Sequence, residues 1–181
     1  MAISLSGFAM SQTFMQGLGV NIVMQTLPGY TENPVVGILY SPKINFLEKD
    51  HSSLSMGLPL SFAYAGIYDT QAGIDNNKTI ECMLDLPLMI NYNYGAGSNK
   101  KTKDRFGFFA GIGYAYHTNP FTIDNNSDDV AYTESGFGPV FNTGLRVAKD
   151  PHHNFEIRFS YMKATDASKS DIFGIGAVFN W

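Results

Sequence analysis

Apolar and polar positions alternate with a period of two along most of this chain. The longest run is Thr79–Tyr94, TIECMLDLPLMINYNY. Its even positions, from Ile80 through Leu84, Leu86, Leu88 and Ile90 to Tyr94, are all apolar or aromatic. Its odd positions include Glu81, Asp85, Asn91 and Asn93. A period of two sends the two sets to opposite faces of a β-strand. At roughly 3.3 Å per residue the run would reach about 50 Å. A strand tilted across a bilayer needs only about 9–11 residues.

The same alternation predicts strands at Phe14–Gln25, Val35–Phe46, Ser52–Ala65, Thr79–Tyr94, Phe106–His117, Gly136–Val147, Asn154–Ala164 and Ile172–Trp181. Turn-forming residues separate them, and no helical period of useful length appears. Pro59, Pro87 and Pro139 fall inside these segments. A closed sheet has no free edge for proline, so bulges or shortened ladders are expected there.

The two faces are unequal in the same sense throughout. One is wide and apolar in every strand. The other carries Gly, Ser, Ala, Asn and six charges: Lys43, Glu81, Asp85, Arg146, Glu156 and Arg158. Glycine marks crowding, and crowding belongs inside a barrel of about eight strands. The wide face then points outward, into lipid, and closure satisfies the backbone as a bilayer requires. Aromatics concentrate toward the two ends of the strands, with Leu, Ile and Val between, as in the girdles of membrane barrels. The expected fold is all-β: a closed, antiparallel, up-and-down, eight-stranded transmembrane barrel.

Composition agrees. Charged residues are 15% of the 181, against about 25% in soluble domains. No apolar run is long enough for a membrane helix, and a barrel would not show one. The net charge of −4 leaves no nucleic-acid footprint. The one basic cluster, Lys100, Lys101, Lys103 and Arg105, reads as a solvated turn. Cys82 is alone and sits on the apolar face as a small hydrophobe. Ala9-Met10-Ser11 fits a small-x-small cleavage pattern, so residues 1–11 are read as a signal-peptide remnant and 12–181 as the barrel.

Candidate chemistry is sparse. Eight strands leave interior room for side chains only, so the six interior charges are expected to pair as a plug, with Lys43, Arg146, Glu156 and Arg158 in the lower half of the barrel and Glu81 and Asp85 in its upper half. Asp124-Asn125-Asn126-Ser127-Asp128 opens like a calcium loop, but Asp129 stands where glycine is needed and Ser135 where glutamate is. His51-Ser52-Ser53 has no third catalytic partner in the expected topology, and the Asn77-Lys78-Thr79 glycosylation pattern carries no meaning in a bacterial outer membrane. No catalytic residue, cofactor or metal is expected.

The ending Phe179-Asn180-Trp181 resembles the carboxyl-terminal signal read by the outer-membrane assembly machinery. Residues 38–64 (ILYSPKINFLEKDHSSLSMGLPLSFAY), DLPLMINYNYGAGSNKK, RFGFFAGIGYAY and the ending FGIGAVFNW resemble small outer-membrane barrels of the Bacteroidetes type, mostly proteins of unknown function. That resemblance implies an eight-stranded barrel in a Gram-negative outer membrane and brings no activity with it. The expected role is a non-enzymatic outer-membrane protein, structural or an accessory subunit of an envelope assembly, with lipid and the assembly machinery as partners. A narrow channel or lateral transporter for small apolar molecules, and more remotely a lipid A-modifying enzyme, are the alternatives. With periplasmic termini, the long loop Thr118–Ser135 faces outside, and its apolar Phe121, Ile123, Val130 and Tyr132 make it the expected partner-contact loop.

Overall fold

The computed structural model describes residues 13–27, 30–31, 34–67, 79–123, 135–165 and 170–181. The strands, numbered here in chain order, are β1 (Thr13–Met15 continuing as Gly17–Leu27), β2 (Val35–Tyr40 and Lys43–Phe46), β3 (Ser52–Gly57 and Leu60–Ile67), β4 (Thr79–Gly95), β5 (Phe106–Ile123), β6 (Ser135–Ala148), β7 (Asn154–Lys163) and β8 (Asp171–Asn180). A short piece, Tyr30–Thr31, extends the first hairpin by pairing with Thr26 and Leu27. Each strand pairs antiparallel with the next, and β8 pairs with β1, Gly176 opposite Asn21. Gln16 and Trp181 exchange backbone hydrogen bonds at 3.0 and 2.8 Å to complete the ring. The result is a closed, antiparallel, eight-stranded transmembrane barrel.

The outward face is apolar. Ile22, Ile38, Phe62, Leu88, Ile112, Leu145, Ile157 and Ile175 all stand exposed, Ile112 by 70%. Aromatics flank this belt. At the end holding the short turns, Phe155 and Phe179 meet at 5.1 Å, Phe179 stacks on Trp181 at 6.2 Å, and Tyr94 lies 5.5 Å from Phe108. At the other end Tyr116 meets Phe137 at 4.8 Å and Tyr161 meets Phe173 at 5.1 Å. Water would reject such a belt, and hydrocarbon bounded by headgroups accepts it.

Three strands run two residues or more beyond the ends that alternation alone predicts. β1 reaches Leu27, β3 reaches Ile67 and β5 reaches Ile123. The segment Thr118–Ile123 is therefore strand where a loop is expected, with Phe121 opposite Cys82 and Ile123 opposite Ile80. The register slips once, between Cys82 and Leu84, which absorbs the extra length. Val130, Tyr132 and the calcium-like segment 124–130 lie outside the described residues, as do residues 1–12.

The prolines shape the wall. Leu58 donates to the carbonyl of Pro42 at 3.0 Å, so even-numbered backbone groups of β3 face β2 and odd ones face β4. Gly95 donates to His51, so odd-numbered groups of β4 face β3. Gly57 pairs with Met89 and Ser61 with Asp85, and the same register sets Pro59 opposite Pro87. Both donorless nitrogens then point at one another, at a site where a ladder would exchange two hydrogen bonds. The wall between β3 and β4 has no ladder bond from Gly57/Met89 to Ser61/Asp85, about 13 Å along the strand. Pro42 removes a further donor beside Leu58. Pro139 instead sits where the ladder from β6 to β7 begins, one residue before Val140.

Candidate functional site

The inward side chains form three layers. The lowest is made by the turn after β4. Gly95 and Gly97 take left-handed backbone angles, φ 72° and 74°, that β-carbon-bearing residues rarely adopt. A β-carbon on Gly97 would stand 2.9 Å from the Asn154 amide nitrogen and 3.1 Å from Cδ of Arg146. The turn thus folds up beneath the lumen. Ser98 O accepts from Asn45 at 2.8 Å, Asn99 donates to Lys49 O at 2.6 Å, and Thr102 Oγ1 donates to Asp50 O at 2.8 Å. Lys100, Lys101, Lys103 and Arg105 point into solvent. The turn is a structured cap with a basic outer surface.

The middle layer is a charged plug. Glu156 Oε2 accepts from Arg146 Nε at 2.7 Å, and Oε1 accepts from Arg158 Nε at 2.9 Å and Nη2 at 2.6 Å. Lys43 Nζ stands 3.6 Å from Oε2. Arg146 also donates to Asn93 at 2.9 Å, and its guanidinium lies 4.4 Å above the Phe109 ring. Arg146 and Glu156 are each 1% exposed. Burying such charges is tolerable only when they are paired and hydrogen-bonded. Cross-strand register does the placing, since Arg146 is the direct partner of Glu156 on the β6–β7 ladder.

The charges expected in the interior stand at two levels. Lys43, Arg146, Glu156 and Arg158 come together. Asp85 lies apart, bonded to Nδ1 of His117, which it faces on the β4–β5 ladder. Glu81 comes four residues before Asp85 on β4, and its side chain lies outside the described ones. His117 turns its other nitrogen to Gln25 Oε1 at 3.2 Å. Composition gave no sign of this histidine, because its role depends on register. Ser61, Asp85 and His117 share one row across β3, β4 and β5. The carboxylate is in the middle of that row, and Ser61 Oγ accepts from Asn21 at 2.7 Å. A nucleophilic relay needs the imidazole between hydroxyl and carboxylate, so the row is not one. His51 does have a carboxylate partner, Asp104 at 2.7 Å, and this bond raises the imidazole above its ordinary pKa of 6.5. Ser53, however, points into the barrel and accepts from Asn93 at 3.3 Å. Among the described residues no group of three or more His, Cys, Asp or Glu side chains could hold a metal.

Between plug and His117 lies a cavity of about 70 Å³. Its walls are Val23, Leu39, Met89, Val140, Met162 and Ile172. Arg158, Asn21 and Asn142 meet it on the polar side, and Pro59 and Pro87 line it where the wall lacks ladder bonds.

No family model matches the chain, and no curated protein sequence matches it significantly. Solved structures do resemble it. The attachment invasion locus protein Ail of Yersinia pestis, solved with the heparin analogue sucrose octasulfate, superposes with TM-score 0.64 at 9% identity, covering 94% of this chain and 98% of that one. Neisserial surface protein A gives TM-score 0.62 at 10% identity, covering 94% and 97%. The outer-membrane protein OprG of Pseudomonas aeruginosa gives 0.52 at 12% identity, covering 94% and 95%. At such identities the likeness is one of fold: this chain has the fold of small outer-membrane barrels.

Proposed function

We propose that this chain is a non-enzymatic integral protein of the Gram-negative outer membrane, acting as a structural or accessory subunit of an envelope assembly. The plug carries this reading. Glu156 with Lys43, Arg146 and Arg158 fills the lumen, and the turn 95–105 closes it from below. A barrel sealed in this way works through its surfaces. The periplasmic side would hold the termini and the short turns, consistent with the rule that short turns lie there.

Planar-bilayer recording of the purified barrel tests the reading. No stable conductance step is expected from the natural sequence. Reproducible steps would overturn it and put a channel in its place. Lipid A from cells with and without the protein is expected to carry the same acyl chains by mass spectrometry, and a changed acyl number would make the protein an enzyme.

A second reading has its own observation. The gap opposite Pro59 and Pro87, backed by an apolar cavity, suits lateral passage of a small apolar molecule between lumen and bilayer. Uptake that depends on the protein while conductance stays absent would favour this route over the structural role.

A further inference from the structure

The floor of the cavity is electrically unbalanced. Three cations, Lys43, Arg146 and Arg158, share the single carboxylate of Glu156. Arg158 gives Nε and Nη2 to Glu156, and Nη2 also to Ser41 at 3.1 Å. Its remaining nitrogen, Nη1, is buried without a hydrogen-bond partner. The side chain is itself only 8% exposed. A buried donor left unpaired bears its whole desolvation cost, and a charged one bears more. Asn142 lines the same space with an unpartnered amide oxygen. Across from this polar side the walls are apolar, with Leu39, Met89, Val140, Met162 and Ile172.

An excess of buried positive charge, a free guanidinium N–H and an apolar chamber above it together describe one class of ligand. We propose that the cavity is a binding site for a monocarboxylate of acetate size, its carboxylate on Arg158 Nη1 and its methyl group toward Met89, Val140 and Met162. The reverse orientation is disfavoured, because Asp85 also lines the cavity. Size limits the ligand. An engineered cavity of about 150 Å³ holds the six heavy atoms of benzene, so about 70 Å³ suits roughly three to four heavy atoms, a carboxylate carrying at most a methyl group. The site does not rest on the sealed-barrel reading or on the lateral route, since a ligand can be held without being passed.

Acetate is the probe. The full barrel, reconstituted in zwitterionic nanodiscs with ¹³C-methyl methionine, is titrated with acetate and, separately, with acetamide and ethanol. Saturable shifts are expected at the Met89 and Met162 methyls and not at the lipid-facing Met24 and Met56. The neutral analogues should bind roughly tenfold more weakly or worse, the loss expected for one charge-assisted hydrogen bond. Arg158→Gln should weaken acetate by a similar factor. Val140→Phe, which fills the chamber and leaves the plug alone, should abolish the shifts. Should Arg158→Gln fail to fold, the neutral analogues and Val140→Phe decide the matter without it. Equal binding of acetamide refutes the ligand class. Shifts that survive Val140→Phe refute the site, and no saturable shift with the natural sequence means the cavity holds water only.

Discussion

Replacing Glu156 by glutamine keeps the shape of the plug and removes its only negative charge. The carboxylate accepts from Arg146 Nε at 2.7 Å, Arg158 Nε and Nη2 at 2.9 and 2.6 Å and Asn180 Nδ2 at 3.4 Å, with Lys43 Nζ at 3.6 Å. Removing one partner of a buried ion pair costs about 3–5 kcal/mol, because the other charge is left buried and alone. Here three cations are left, and the new amide sets an NH₂ against donors, so the upper end of that range is expected. Lys43→Met should behave in the opposite way. Lys43 Nζ makes no hydrogen bond, and the cluster already holds more cations than carboxylates. Its loss should be neutral or stabilising by up to about 1 kcal/mol. In the double variant, Lys43→Met should recover about 1 kcal/mol or more of the Glu156→Gln loss, within the usual range of coupling between touching residues. The assay is denaturant unfolding of the refolded barrel in zwitterionic vesicles, followed by emission of Trp181, the single tryptophan. If Lys43→Met costs as much as Glu156→Gln, or Glu156→Gln costs nothing, charge balance does not hold the plug together.

The wall gap makes a second prediction. Pro59→Ala with Pro87→Ala restores two N–H donors, each facing the carbonyl of the opposite residue, so the amides of both positions should exchange slowly with deuterium, and rapid exchange would show that the ladder bonds do not form there. Gly144→Ala should destabilise by about 1–3 kcal/mol, since its β-carbon would stand 2.6 Å from the Phe109 ring and 2.3 Å from the Ile157 carbonyl. An unchanged unfolding midpoint would refute the packing of Phe109 beneath Arg146. The exposed His51 titrates above 6.5 because Asp104 holds its protonated form. Its stabilising contribution is full below pH 6.5 and fades as pH rises through the raised folded value. In an NMR titration Asp104→Asn should move it back toward 6.5, and an unmoved value would mean the bond is absent in solution.

Strand positions and faces were legible because both follow from a local rule. Alternation locates Thr79–Tyr94, and glycines at 107, 111, 138, 144, 174 and 176 on its polar counterpart face show which side is crowded. Interior partners obey a different rule. On a hairpin the numbers of facing residues have a constant sum, and that sum depends on where the turn is centred. The face pattern restricts the error to steps of two, because a one-residue slip would turn every side chain over. A step of two is still enough to separate Asp85 from His117 or Arg146 from Glu156. For that reason Lys43, Arg146, Glu156 and Arg158 could be set at one level of the lumen and Asp85 at another from sequence, whereas the pairing of Asp85 with His117 and of Arg146 with Glu156 could not be read from it. The turn 95–105 was misleading for a related reason: its lysines face water as composition suggests, but Ser98, Asn99 and Thr102 pack beneath the lumen, guided by two left-handed glycines.

The prolines show what register adds. Taken singly along the chain, Pro42, Pro59 and Pro87 are three separate defects in a structure that cannot spare hydrogen bonds inside a bilayer. The observed sums place Pro59 opposite Pro87 and Pro42 opposite Leu58, so these missing donors fall at one level of two adjacent walls, β2–β3 and β3–β4. Scattered prolines would weaken three ladders. Gathered, they leave the β4–β5, β5–β6, β6–β7 and β7–β8 walls with their ladders unbroken by proline over the plug, and they place the loss in two neighbouring walls beside the apolar cavity. A barrel that needed only to be stable would gain from any residue but proline at either position of the facing pair. Both are present, directly opposed and beside a chamber, so the cost in ladder bonds has a local address, and the doubly substituted Pro59→Ala, Pro87→Ala barrel should recover stability at that level and nowhere else.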